Sequence, residues 1–273
     1  MRDYSWKLRL FNEFAERELR AAISELGLRP GMRVIDAGCG SGGALAWLAE
    51  AVDASVAHGT RGEVIGLELS AAHAAAARIA CGPEIAVVQG DVTRPPLAER
   101  SFDLIWTMNT VNHLRDPIAG LRSLGSLLKR GGRIALGQSS LLPDMYFAWN
   151  ARLEHATNAA VRRYYCERYG LTERDLASIR SLLGPLLEAG LRNVAVRTFV
   201  IERIQPLARA DEAYLLEVIF RGTWGERLAP YLPRADRAAL DKLCDPASAE
   251  FALRRPDFHF LQTFTLAVGE TAN

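Results

Sequence analysis

The chain has 273 residues, with 33 basic and 32 acidic side chains for a net charge of +1, and 49% of it is apolar. That is enough to bury a sizeable core, and the balanced charge argues against a groove for nucleic acid. Four dispersed cysteines without a C-x-x-C pair and five scattered histidines exclude a disulfide framework and zinc spacing, so no metal is expected.

The start, MRDYSWKLRLFNEF, is charged throughout and lacks the apolar stretch of a signal peptide. No segment approaches the ~20 apolar residues of a membrane span, so a cytoplasmic protein without a membrane partner is expected. Residues 9–26 place Phe11, Phe14, Leu19, Ile23 and Leu26 on one helical face, and LRPG at 28–31 ends that helix. Strand and helix signals then alternate. RVIDAG is a strand, Gly42–Val52 a helix, EVIGLEL at 63–69 a strand, and Ser70 is placed to cap the Ala-rich helix after it. EIAVVQGD at 84–91 and FDLIWTM at 102–108 follow as strands. Asp116-Pro117 opens a helix that Gly131-Gly132 is expected to close, before the strand RIALGQ at 133–138. Short apolar strands separated by helices point to an α/β fold with a doubly wound, mostly parallel sheet.

After Ser140 the rhythm changes. Residues 142–184 are aromatic, Arg-rich and helical in pattern, 185–204 return to a helix and a strand, and 206–257 are several helices bounded by prolines. FHFLQTFTLAV at 258–268 alternates like a last strand. The expected organisation is a core formed by 1–141, 185–205 and 258–273, with helical insertions at 142–184 and 206–257 forming a substrate cap. The insertions carry six Arg against five acids and eight basic against nine acidic residues, so neither is a polyanion groove.

Between the first strand and its helix lies Gly38-Cys39-Gly40-Ser41-Gly42-Gly43. It matches G-x-G-x-x-G, and that pattern alone is weak. No Gly-Lys-Ser/Thr ends it, which removes the P-loop. Charge separates the remaining ligands. A pyrophosphate wants amides and a helix N-terminus with no carboxylate beside it, whereas Asp36 stands two residues before the first glycine. S-adenosylmethionine carries an ammonium and a sulfonium and no phosphate, and suits that acid. Glu68 ends the second strand, where a carboxylate accepts ribose hydroxyls in either ligand class. Asp91 ends the third, where its oxygen can meet an adenine amino group with Val92 beside the ring. Taken singly, the three acids also read as a turn former, a solvated strand end and a cap.

VIDAGCGSG, GLELS, VVQGDV, FDLIWTMNTVNHLRDP and LLKRGGRIAL, in this order, resemble the successive motifs of class I S-adenosylmethionine-dependent methyltransferases, most of all the small-molecule, ubiquinone-biosynthesis-like branch. The resemblance is close over roughly 28–140 and looser through LLEAGLRNVAV and the last strand. It implies a Rossmann-like sheet of seven strands with the last antiparallel. It also implies a donor site formed by Asp36, Ala37, Gly38, Cys39, Gly40, Glu68, Leu69, Gly90, Asp91, Val92 and Asn109. In it Gly38 and Gly40 approach the methionine part, Glu68 the ribose and Asp91 the adenine, while Asn109 lines the sulfonium side.

Methyl transfer is an in-line displacement on an activated donor, so alignment and exclusion of water carry most of it, and a base serves only an acceptor that must lose a proton. His113, just past the fourth strand, is the candidate base, against a helix-start or packing role, which its position favours slightly. Tyr4, Trp6, Tyr146, Trp149, His155 and Tyr165 are candidates for the acceptor pocket, against plain packing. The expected reaction is O- or N-methylation of a small molecule, of the kind found in secondary metabolism, and a homodimer is compatible with it. Methylation of RNA or protein is the alternative, opposed by MNTV where a base N-methylating enzyme has an Asn/Asp-Pro-Pro-Tyr motif. A non-catalytic scaffold and a dinucleotide oxidoreductase complete the readings weighed.

Overall fold

The computed structural model describes residues 5–52, 61–139, 146–147, 150–170, 172, 182–225 and 227–272. The chain divides into two compact units, one of residues 1–138, 181–199 and 265–273, the other of 139–180 and 200–264.

The first unit is built on a sheet. The strands are β1 (Arg33–Ala37), β2 (Glu63–Glu68), β3 (Ala86–Gln89), β4 (Phe102–Met108), β5 (Leu128–Ser139), β7 (Arg192–Ile204) and β8 (His259–Glu270), of which the last residues of β7 and the first of β8 are counted with the second unit, as is the two-residue β6 (Tyr146–Phe147). Neighbours run β3-β2-β1-β4-β5-β8, and β7 pairs with β8. The pairs β1/β2, β1/β4, β2/β3 and β4/β5 are parallel. Thr271 donates to Gly132, and Leu266 lies against Gly137, so β8 runs antiparallel to β5, as the family resemblance implied. The seven-stranded, mostly parallel sheet is therefore present. Val34, Ile35, Leu104, Ile105, Ile134 and Ala135 are fully buried in adjacent parallel strands, which is why their sequences are continuous apolar runs.

Helices α1 (Ser5–Phe14), α2 (Glu16–Ser24), α3 (Leu45–Ala51), α4 (Ala71–Cys81), α5 (Pro117–Gly125) and α7 (Leu183–Glu188) pack around this sheet. Both expected caps form. The Ser70 hydroxyl accepts from the His73 amide at 3.4 Å and the Asp116 carboxylate from the Ala119 amide at 2.9 Å, with Pro117 in the first turn. Three expectations change. The helix over 9–26 is two helices, because Ala15 leaves helical geometry (φ −98°, ψ 9°). The first helix after the glycine turn starts at Leu45 and not at Gly42, whose φ of +87° is outside the helical region. Gly131-Gly132 does not close a helix. α5 has already ended at Gly125, and the pair lies inside β5, where Gly131 takes φ +69° and the register against β4 shifts. An extra-residue kink of that kind needs a residue free to take positive φ.

The second unit contains α6 (Ala151–Tyr169), α8 (Arg209–Ala213), a π-type helix over Tyr214–Gly225 and α9 (Arg234–Cys244). β6 pairs antiparallel with β8 at Tyr146–Leu261 and Phe147–Phe260, a strand that the sequence pattern does not announce. Asn150 caps α6 by accepting from the Arg152 and Leu153 amides, and Gly170 ends it in the left-handed conformation. Phe220, Trp224 and Phe251 form an aromatic cluster in which the Phe220 and Trp224 rings stack at 5.6 Å. Among the described residues no helix is long and apolar enough to cross a membrane.

Candidate functional site

From β1 the chain moves outward through β2 and β3, then returns to lay β4 on the other side of β1. The strand order reverses between β1 and β4, and the crevice above their C-terminal ends is where open α/β sheets bind ligands. A cavity of about 360 Å³ occupies that position in the first unit. Asp36 from β1, Glu68 from β2, Asp91 after β3, and Trp106 and Met108 from β4 all line it.

The glycine turn is its wall, and its conformation is dictated by steric space. Gly38 has φ +78°, and a Cβ there would stand 2.3 Å from the Thr110 hydroxyl oxygen, so only glycine fits. The turn's leading amides are already committed. Gly38 and Cys39 donate to the Leu67 carbonyl at 2.7 and 3.1 Å, and Gly40 donates to the Glu68 carboxylate at 2.9 Å. A phosphate cradle needs such amides free to point at the ligand. Here they are held by the end of β2.

The three acids have different environments. Asp36 is buried, and among the described residues its carboxylate has no hydrogen-bond partner. Burial, and secondarily the charge of Glu68, push it up to about 8. Glu68 is fixed at both oxygens, one accepting from Gly40 and the other from the Ser70 amide at 2.8 Å. It is thus a strut between the turn and α4 as well as a wall of the cavity. The exposed Asp91 accepts from the Thr93 amide at 2.8 Å, and that bond together with the Thr93 hydroxyl holds its carboxyl below the usual range. The same elements raise the Cys39 thiol, first by burial and then by the charges of Asp36 and Glu68.

β4 is followed by Asn109, which takes φ +53°, a conformation asparagine tolerates better than most residues, and donates its amide to the Gly137 carbonyl. Thr110 bonds the Gly38 and Met108 carbonyls. His113 follows on a 3-10 turn over Val111–His113, exposed at the rim, with its imidazole pKa lowered by partial desolvation.

Of the residues named from sequence, Asp36, Gly38, Cys39, Gly40, Glu68, Leu69, Asp91, Val92, Asn109 and His113 line this cavity. Ala37 and Gly90 are not among the lining residues: Ala37 is fully buried, and the side-chain direction of Gly90 is filled by Pro96 and Leu67. Trp6 sits on α1, while the helix presents Leu8, Phe11 and Asn12 to the cavity at helical spacing. Tyr4 and Trp149 lie outside the described residues. Tyr146 is in β6, while His155 and Tyr165 are on α6 of the second unit, the former exposed and the latter packed edge-on against Tyr164 at 5.5 Å. Sequence reasoning missed His73, whose Nδ1 is 3.9 Å from Glu68, and also Trp106 and Met108. The last two had a readable signal, since alternate residues at the end of a strand share a face. No group of three metal-ligating side chains gathers among the described residues.

Known proteins are similar to this chain over the stretch that carries most of these residues. Residues 34–132 match the family described as "Methyltransferase domain". Demethylmenaquinone methyltransferase from Beutenbergia cavernae is 32% identical over 125 residues, covering 45% of this chain and 48% of that protein. Phosphoethanolamine N-methyltransferase 1 from Arabidopsis thaliana is 31% identical over 119 residues, covering 42% of this chain and 22% of that one. The chain thus spans less than half the length of these curated relatives. Among solved structures, Haemonchus contortus phosphoethanolamine N-methyltransferase 2, in complex with phosphomonomethylethanolamine and S-adenosylhomocysteine, superposes with a TM-score of 0.52 at 16% identity, covering 94% of this chain and 53% of the other. At that identity the likeness is one of fold.

Proposed function

We propose that the chain is a class I S-adenosylmethionine-dependent methyltransferase that methylates a small molecule at a hydroxyl or amine, a reading supported by the match of residues 34–132 to the methyltransferase-domain family. One observation carries the choice of donor. The cavity sets a buried carboxylate where a dinucleotide would put its pyrophosphate, and the leading amides of the turn are spent on Leu67 and Glu68. A cationic, phosphate-free nucleoside satisfies such a site, whereas a polyanion finds neither a positive side chain nor free leading amides there.

In this reading Asp36 faces the positive end of the donor. Glu68 accepts from the ribose with the lone pairs that Gly40 and Ser70 leave, since each carboxylate oxygen has two. Leu69, 65% exposed at the cavity, offers apolar surface to the flat base, with Asp91 at the amino edge of the ring. When bound, S-adenosylmethionine supplies a methyl group on a sulfonium, already activated for displacement. What remains for the chain is alignment, exclusion of water by the α1 residues Leu8 and Phe11, and removal of a proton from the acceptor. His113, whose lowered pKa keeps it neutral at physiological pH, is assigned that proton. The acceptor is a small molecule on the strength of the two curated relatives, whose names specify a quinone precursor and a phosphobase.

Calorimetry with S-adenosylmethionine, S-adenosylhomocysteine and NAD tests the donor. NAD binding without the methyl donor would overturn the proposal. Transfer of a tritiated methyl group into fractionated lysate tests the acceptor class, with label expected in the small-molecule fraction. His113→Gln should lower turnover about a hundredfold and leave donor affinity unchanged.

A further inference from the structure

We propose that donor uptake is proton-coupled: seating a cation in this cavity expels one proton from the Asp36–Glu68 pair to solvent. The inference rests on the donor reading above. Asp36 is 3% exposed, and the protein gives its carboxylate no hydrogen bond among the described residues. Glu68 is the nearest charge from β2, with amides at 2.9 and 2.8 Å on its two oxygens. The other titratable side chains lining the same cavity are the Cys39 thiol from the turn, His73 from α4, Asp91 after β3 and His113 from the 3-10 turn, and no lysine or arginine is among the described lining residues.

Two carboxylates lining one cavity with no lysine or arginine beside them resist ionising together, and a buried one without hydrogen bonds is the one that keeps a proton. Glu68 accepts two amides and Asp36 none, so the proton resides on Asp36, whose carboxyl is pushed up to about 8. A positive ligand reverses the balance. The O–H bond of Asp36 breaks, its electron pair stays on the carboxylate, and the proton passes to buffer. The protein therefore holds its anionic site in a neutral form until the ligand that needs the charge arrives. A neutral thioether product lacks the sulfonium charge and so draws the proton off less completely, which couples product release to proton return.

Calorimetric titration of the full chain with S-adenosylmethionine at about pH 6.5, in buffers of different ionisation enthalpy, reads the proton directly. At that pH the donor's own amino group is fully charged and contributes none. The expected result is close to one proton released per donor, fewer with S-adenosylhomocysteine, and affinity for the donor rising about tenfold per pH unit between about pH 6 and 7.5, then levelling above 8. Asp36→Asn should bind more weakly, with its residual affinity flat across that range. Binding with buffer-independent heat and pH-independent affinity would overturn the coupling and leave the donor reading intact. No binding at any pH from about 6 to 9 would overturn the donor reading, and the coupling with it.

Discussion

Two stretches of irregular backbone, the turn at 38–43 in the first unit and the π-type helix at 214–225 in the second, reach irregularity by opposite routes. The turn is forced by contacts that admit no alternative. Gly38, Gly40 and Gly42 all take positive φ, and Thr110 sits where the first of them would carry a Cβ. The π-type helix also holds two glycines, Gly222 and Gly225, but neither takes positive φ, and its shape follows from burial. Leu215 and Phe220, and Ile219 and Trp224, recur at intervals of five and are buried, while the Thr223 hydroxyl donates to the Val218 carbonyl five residues back. Backbone irregularity written in positive-φ glycines walls the cavity of the first unit. In the second it is a packing solution, since π-type turns there bring aromatic side chains to one face.

Substitutions can break that contrast. The largest effect should come from the packed region: Phe220→Ala removes a ring that is 1% exposed and stacks on Trp224, and should cost about 3–5 kcal/mol in denaturant unfolding. Gly38→Ala comes next at about 2–4 kcal/mol, from the positive φ together with the clash at Thr110, and should abolish donor binding in calorimetry. If it binds normally, the turn is not the ligand wall.

Asp36→Asn should act in the opposite direction on stability. Asp36 has an ordinary value of 3.8 and stands near 8 in the fold, so unfolding releases a proton between those limits. The carboxyl therefore costs nothing below about pH 4, and its cost grows through the window by up to ~1.4 kcal/mol per pH unit before levelling above 8. The ligand-free variant should be more stable than the parent by a few kcal/mol at pH 7 and equal to it near pH 4, while the donor binds ten- to a hundredfold more weakly. A thermal-melt series across pH, with and without donor, reads both. The smallest effect belongs to Gly170→Ala. Gly170 has φ +65°, and a Cβ added there would meet nothing within 4 Å, so only the backbone penalty remains, about 1 kcal/mol, with donor affinity unchanged.

Local chemistry made much of the first unit legible. Continuous apolar runs marked buried parallel strands, and Ser70 and Asp116-Pro117 announced helix starts that the structure keeps. Gly131-Gly132 misled because a glycine pair is the same signal for a helix end and for a kinked strand, and only pairing with β4 decides between them. Glu68 was readable as a wall of the cavity and unreadable as a strut, because its partner Gly40 is 28 residues away in sequence. The second unit offered helical patterns without a period that separates α from π, since a spacing of four or five satisfies both.

The succession of strands along the chain, the glycine turn and the three acids at strand ends were determined by sequence alone, because each depends on residues adjacent in the chain. Tertiary structure decided what those groups are worth. It buried Asp36 without a partner, set the charge of Glu68 beside it and committed the turn's leading amides elsewhere. Burial and electrostatics sum over neighbours from many strands, and that sum exists only once the chain has folded.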